Sequence, residues 1–185
     1  MAELVRSTPT RPATTSRRTV TALVLTALVV TAIAGSGYWL SHPTSLETYG
    51  SGLEATAAIG HTIAIDTTIS ATHEASSAQV TLHSLKPRIT ENTSDATVVF
   101  VVCQRNAGDT AVGTGQPSDL AEYCTRVDPL PRSFKAHLGF TTNQIVALVT
   151  PRKAGRLHIA GYDATYRTGL RRGTQHVGLE TTVTT

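Results

Sequence analysis

The chain has 185 residues, of which 40% are apolar and 16% charged, and it carries a net charge of +3. Arg6, Arg11, Arg17 and Arg18 against Glu3 put that whole excess into the first 18 residues, and the 12 basic and 12 acidic residues that follow cancel. A neutral remainder lacks the basic surface on which nucleic-acid affinity depends, so nucleic acid is not an expected partner.

Residues 1–18 hold Pro9, Pro12, four arginines and almost no large apolar side chain, which predicts a disordered basic tail. Residues 19–40, TVTALVLTALVVTAIAGSGYWL, are 22 positions without a charge. As a helix they would extend about 33 Å, against a hydrocarbon core of about 30 Å, so they are read as a transmembrane helix. The basic flank puts the N-terminus in the cytoplasm and all that follows outside, with Tyr38 and Trp39 as interfacial anchors. Ala32-Ile33-Ala34 also has the spacing of a signal-peptidase site, and cleavage near Ala34 would instead release a secreted protein. Residues 41–60 mix Pro, Ser, Thr and Gly and are expected to form a linker with little fixed structure.

From residue 61 the periodicity becomes two, the spacing of a strand with one buried face. Ile63, Ile65, Thr67 and Ile69 alternate with Thr62, Ala64, Asp66 and Thr68, and Val80 and Leu82 repeat the pattern. Thr97 to Val102, apolar on both faces, is expected to be a central strand covered on both sides. Phe134, Ala136, Leu138 and Phe140 alternate again, and Ile145 to Val149 is a further apolar run. Residues 157–166 and 175–183 flank TGLRRG, bounded by Gly169 and Gly173, and read as a hairpin. Seven or eight short strands, with at most one helical turn around Ser118 to Tyr123, predict an all-β antiparallel sandwich over residues 61–185.

Val99 to Cys103 with Cys124 downstream, and Gly161-Tyr162-Asp163-Ala164-Thr165-Tyr166 ahead of Gly173-Thr174-Gln175, resemble the immunoglobulin-like ectodomains that follow a single N-terminal span in actinobacterial membrane proteins. Antibody-type domains carry a Trp between more widely spaced cysteines; the single Trp of this chain is Trp39. The resemblance implies a fold and a topology, and no activity.

Cys103 and Cys124 fall in the part expected outside the cell, where paired thiols become disulfides. The rival reading is a sortase-like cysteine transpeptidase, with Cys103 as nucleophile, His83 stabilising its thiolate and Arg105 or Arg126 holding the oxyanion. Sortases precede their cysteine with Thr-Leu, any residue, then Thr, and this chain has Phe100-Val101-Val102. His61, His73, His83, His137, His158 and His176 never form a local pair at ligand spacing, so no metal is expected, and no motif calls for a cofactor. Gly113-Thr114-Gly115 is read as a turn, Tyr162 and Tyr166 as buried hydroxyls with backbone partners, and Asn92-Thr93-Ser94 as a glycosylation acceptor in a eukaryotic setting.

Residues 151–185 hold six basic residues against Asp163 and Glu180, whereas residues 47–128 hold ten acids against four bases. Arg167, Arg171 and Arg172, at the tip of the final hairpin, are therefore a candidate binding patch for an anionic polymer or an acidic partner. The expected function is a non-enzymatic, membrane-anchored module that binds a protein or polymer of the cell envelope. The transpeptidase and an accessory subunit of a membrane complex are the alternatives.

Overall fold

The computed structural model describes residues 17–42, 44–71, 79–105, 112–138 and 143–185. The chain divides into two units, Met1–Tyr38 and Trp39–Thr185.

The first unit holds all but the last turn of helix α1 (Arg17–Ser41). Val24–Ser41 is long and apolar enough to cross a membrane, and its side chains are exposed throughout. Two of its hydroxyls are satisfied along the helix itself. The Thr31 hydroxyl donates to the Ala27 carbonyl at 2.8 Å and the Ser36 hydroxyl to that of Ala32 at 2.7 Å, so neither needs water.

In the second unit the described residues form β1 (Thr48–Thr56), β2 (Ile63–Asp66), β3 (Val80–Asn92), β4 (Thr97–Arg105), β5 (Thr114–Gly115), a 3-10 turn Pro117–Asp119, α2 (Leu120–Tyr123), β6 (Cys124–Pro129), β7 (Phe134–Ala136), β8 (Asn143–Thr150), β9 (Arg156–Thr168) and β10 (Arg171–Thr184). The strands make two five-stranded sheets, ordered β1-β10-β9-β3-β7 and β5-β2-β8-β4-β6. Both fill one apolar core. Ile63, Ile65, Ile145, Ala147 and Val149 come from one sheet, and Val80, Leu82, Leu157, Ile159, Tyr162 and Tyr166 from the other. Across it, the Phe100 and Tyr162 rings meet edge to face at 5.7 Å.

The last hairpin forms as expected: β9 and β10 pair antiparallel from Arg171↔Thr168 to Thr184↔Arg156. Its two-residue loop starts with Gly169 at φ +56°, a conformation that a glycine reaches without strain. A helical turn also lies where expected, the 3-10 turn Pro117–Asp119 running into α2.

Four expectations are corrected. Residues 41–60 are not an unstructured tether, because Leu46 is 2% exposed in the core and Thr48–Thr56 pairs with β10. That pairing runs parallel, so the fold is not antiparallel throughout. Thr97 to Val102 is interior to its sheet but bare at its start, with Val99 56% exposed. Its neighbour β8 is covered on both faces instead, buried from Gln144 to Ala147 without a break. Finally, β2 is buried at all four positions rather than alternately, because the chain from Val112 to Cys124 packs over the outer face of its sheet. Phe140 lies outside the described residues.

Candidate functional site

The outer face of the second sheet carries the first candidate. Cys103 at the end of β4 and Cys124 at the start of β6 form a disulfide with Cα atoms 5.3 Å apart. Val112, Leu120 and Cys124 thereby close over Ala64, Val101, Cys103 and Val146 as a second buried cluster. The segment is also tied by polar groups from beneath. Gln144 accepts from the Val112 N–H at 3.2 Å and donates to the Val112 carbonyl at 3.4 Å, while the Asp66 N–H donates to the Gly113 carbonyl at 2.9 Å.

Asp66 itself is 6% exposed and accepts from the Thr68 N–H at 2.9 Å and the Thr68 hydroxyl at 3.2 Å. Burial pushes its carboxyl above the ordinary aspartate value; hydrogen bonds from Thr68 and Gln144 and the charge of Arg105 oppose that shift. A cavity of about 240 Å³ opens beside this segment, lined among others by Ala64, Val112, Asp119, Leu120, Glu122 and Tyr123. Asp119 is already used, accepting from the Gln116 N–H at 2.7 Å.

The second candidate is the β9–β10 tip. Arg167 folds back, its Nε donating to the Gly169 carbonyl at 2.8 Å. The Arg171 guanidinium stacks over the Trp39 ring at 4.6 Å and donates to the carbonyls of Trp39 at 3.2 Å and His42 at 2.7 Å. Arg172 is exposed, and Leu170 at the apex is 81% exposed. The three arginines thus share one hairpin tip, on the strands beside its loop, but not one task.

Two tyrosines beneath this hairpin differ. The Tyr166 hydroxyl accepts from the Ser45 N–H at 2.9 Å and donates to Gln175 Oε1 at 2.6 Å, and Gln175 Nε2 donates to the Leu46 carbonyl at 2.7 Å. This clamp fixes the chain ahead of β1 to the sheet. Tyr162 is fully buried and its hydroxyl, like that of Thr181, has no partner in hydrogen-bond geometry among the described residues, contrary to the backbone partner expected of it. Burial pushes the Tyr162 phenol up to about 12, with the neighbouring Thr181 hydroxyl opposing the shift.

The remaining candidates are dispersed. His83 lies on β3 in one sheet and Cys103 on β4 in the other, with its sulfur bonded to Cys124; Arg126 pairs with Asp128 at 2.6 Å. His158 pairs with Glu180 at 2.9 Å, and His176 and Arg88 each meet Asp163 at 3.1 Å on the exposed face of the first sheet. His73 lies outside the described residues. Among those residues no three His, Cys, Asp or Glu side chains converge as a metal site. Asn92 closes the β3–β4 turn, donating to the Ala96 carbonyl at 3.0 Å and accepting from the Ala96 N–H at 2.8 Å.

Sequence reasoning missed the Ser45–Tyr166–Gln175 clamp and the Arg171–Trp39 contact, since each joins residues more than 120 positions apart. The one available signal was composition: Gln175 is a lone amide on an otherwise alternating strand. No protein-family model matches the chain, and no curated protein matches it.

Proposed function

We propose that this chain is a membrane-anchored binding module: α1 crosses the bilayer, and an immunoglobulin-like domain stands outside and engages a protein or polymer of the cell envelope. The carrying observation is the conjunction of a membrane-length apolar helix with a β unit that is stapled by a disulfide, since disulfides persist in oxidising compartments.

Strand order supports the immunoglobulin-like assignment. Taking β2, β3, β4, β8, β9 and β10 as six successive strands, the second, fifth and fourth of the usual seven lie in one sheet (β2-β8-β4) and the seventh, sixth and third in the other (β10-β9-β3). Two departures stand beside this: β1 joins the sheet of the last strand, and residues 106–142 are an excursion between the fourth and fifth.

Binding rather than catalysis is supported by where the displaced ionisable groups lie. Catalytic groups with shifted pKa values gather at clefts. Asp66, Tyr162 and Tyr166, whose pKa values burial raises, instead lie in the interior, and Asp66 and Tyr166 bond the chain to itself. The transpeptidase reading requires a thiolate that the Cys103–Cys124 bond consumes.

Mass measurement of the native protein without reductant tests both readings. A pair two protons lighter than the dithiol is expected. Two free thiols, one rapidly alkylated, would overturn the binding module in favour of the thiol enzyme.

A further inference from the structure

The β9–β10 tip combines three properties that a solvated hairpin does not need. Its apex is an isolated large apolar side chain, Leu170, which is 81% exposed. It is flanked within three residues on either side by Arg167, Arg171 and Arg172. The middle arginine is spent on the chain at the end of α1, stacking on Trp39 and donating to the carbonyls of Trp39 and His42. Those carbonyls belong to or follow the last helical turn, which has no basic residue of its own. The C=O groups at a helix end find no acceptor's partner within the helix and favour a nearby cation. Arg171 supplies that cation from 129 positions beyond His42, and in doing so holds the hairpin tip at the level of Trp39, itself 56% exposed.

An indole at the end of a membrane-length helix sits among lipid headgroups. Whatever is held beside it meets the same layer. We propose that the hairpin tip is a second membrane contact, in which Leu170 enters the boundary between headgroups and acyl chains while Arg167 and Arg172 pair with phosphates of anionic phospholipid. A guanidinium fork suits phosphate, and a leucine beside cations is the pattern of a segment lying in an interface. The inference rests on the reading that α1 crosses the bilayer. It alters the role of the arginines, which then orient the domain on its own membrane rather than capture a distant polymer.

The test uses the full chain in vesicles, with and without anionic phospholipid, carrying Leu170→Trp. Flotation with the vesicles is checked first, so that a helix that fails to insert is recognised as failure of the membrane reading and not of this one. Emission added by the new indole over the parent is expected to be blue-shifted and quenched by lipid brominated near the headgroup end of its chains. Adding Arg167→Gln and Arg172→Gln is expected to reduce the ratio of quenched to free tip by roughly 25-fold, about fivefold for each guanidinium removed. A variant that floats with the vesicles while its added indole emits as in water, unquenched, would overturn the proposal. Shielding that persists in detergent and grows with protein concentration would assign the tip to a second copy. Loss of quenching on adding inorganic phosphate at constant ionic strength would assign it to free phosphate. Either result also overturns it.

Discussion

A buried tyrosine hydroxyl is an asset or a liability according to its partner, and this chain holds one of each, four residues apart. Tyr166→Phe removes the acceptor of a buried Ser45 N–H and the donor to Gln175, so a loss of about 1–3 kcal/mol is expected in chemical denaturation. Tyr162→Phe removes a hydroxyl that bonds nothing among the described residues and is expected to leave stability unchanged or raise it. If Tyr162→Phe costs as much as Tyr166→Phe, the hydroxyl has a partner. Asp66 makes a prediction over pH. Its folded pKa lies above the unfolded one, so between the two the native state keeps a proton that the unfolded chain has lost. The stability it contributes is complete below the unfolded value and is lost as pH rises through the folded value. Asp66→Asn is expected to remove that decline, measured as unfolding free energy from about pH 4 to about pH 7. The contrast between the two tyrosines could not be read from the sequence, because both residues sit on the same face of one strand and the difference is made by Ser45, 121 positions upstream of Tyr166. Cysteine pairing was legible, since two thiols in one chain leave one intramolecular choice.

At the scale of the element, legibility followed local chemistry. The β9–β10 hairpin announces itself through alternation on both sides of a glycine-led turn, and β8 through an unbroken apolar run. Strand β1, TYGSGLEAT, has neither; its glycines and short side chains read as linker, and it is a strand because the edge of β10 offers unpaired backbone groups to whatever lies beside it. A chain starting at residue 61 is accordingly expected to unfold without cooperativity or to aggregate through the bared β10 edge, whereas one starting at Trp39 should melt in a single transition by circular dichroism. The buried outer face of β2 was hidden for a related reason: its cover, Val112 to Cys124, is mostly polar or glycine and packs on the sheet only through Val112, Leu120, Tyr123 and Cys124. Replacing Cys103 and Cys124 together by Ala frees that 21-residue loop and should cost about 3 kcal/mol. A loss much below this would mean that Gln144 and the second cluster hold the cover unaided.

For the whole molecule, the charge asymmetry about α1 yields a topology that can be measured: protease added to cells stripped of their wall should digest residues 39–185 and spare an N-terminal tag. Protection of the domain with loss of the tag would invert the orientation. The β unit also has a direction in which it resists tension. The chain enters β1 at Thr48, opposite Gly178, and the parallel ladder continues to Thr56 opposite Thr184, so the N-terminal and C-terminal ends of this pair lie at opposite ends of the ladder. Pulling between the segment ahead of β1 and the C-terminus therefore loads these hydrogen bonds along the strands, in shear, where they yield together; strands peeled apart from one end would yield one bond at a time. The stretch that most resembles slack rope in the sequence is, mechanically, the part of the domain that takes the strain.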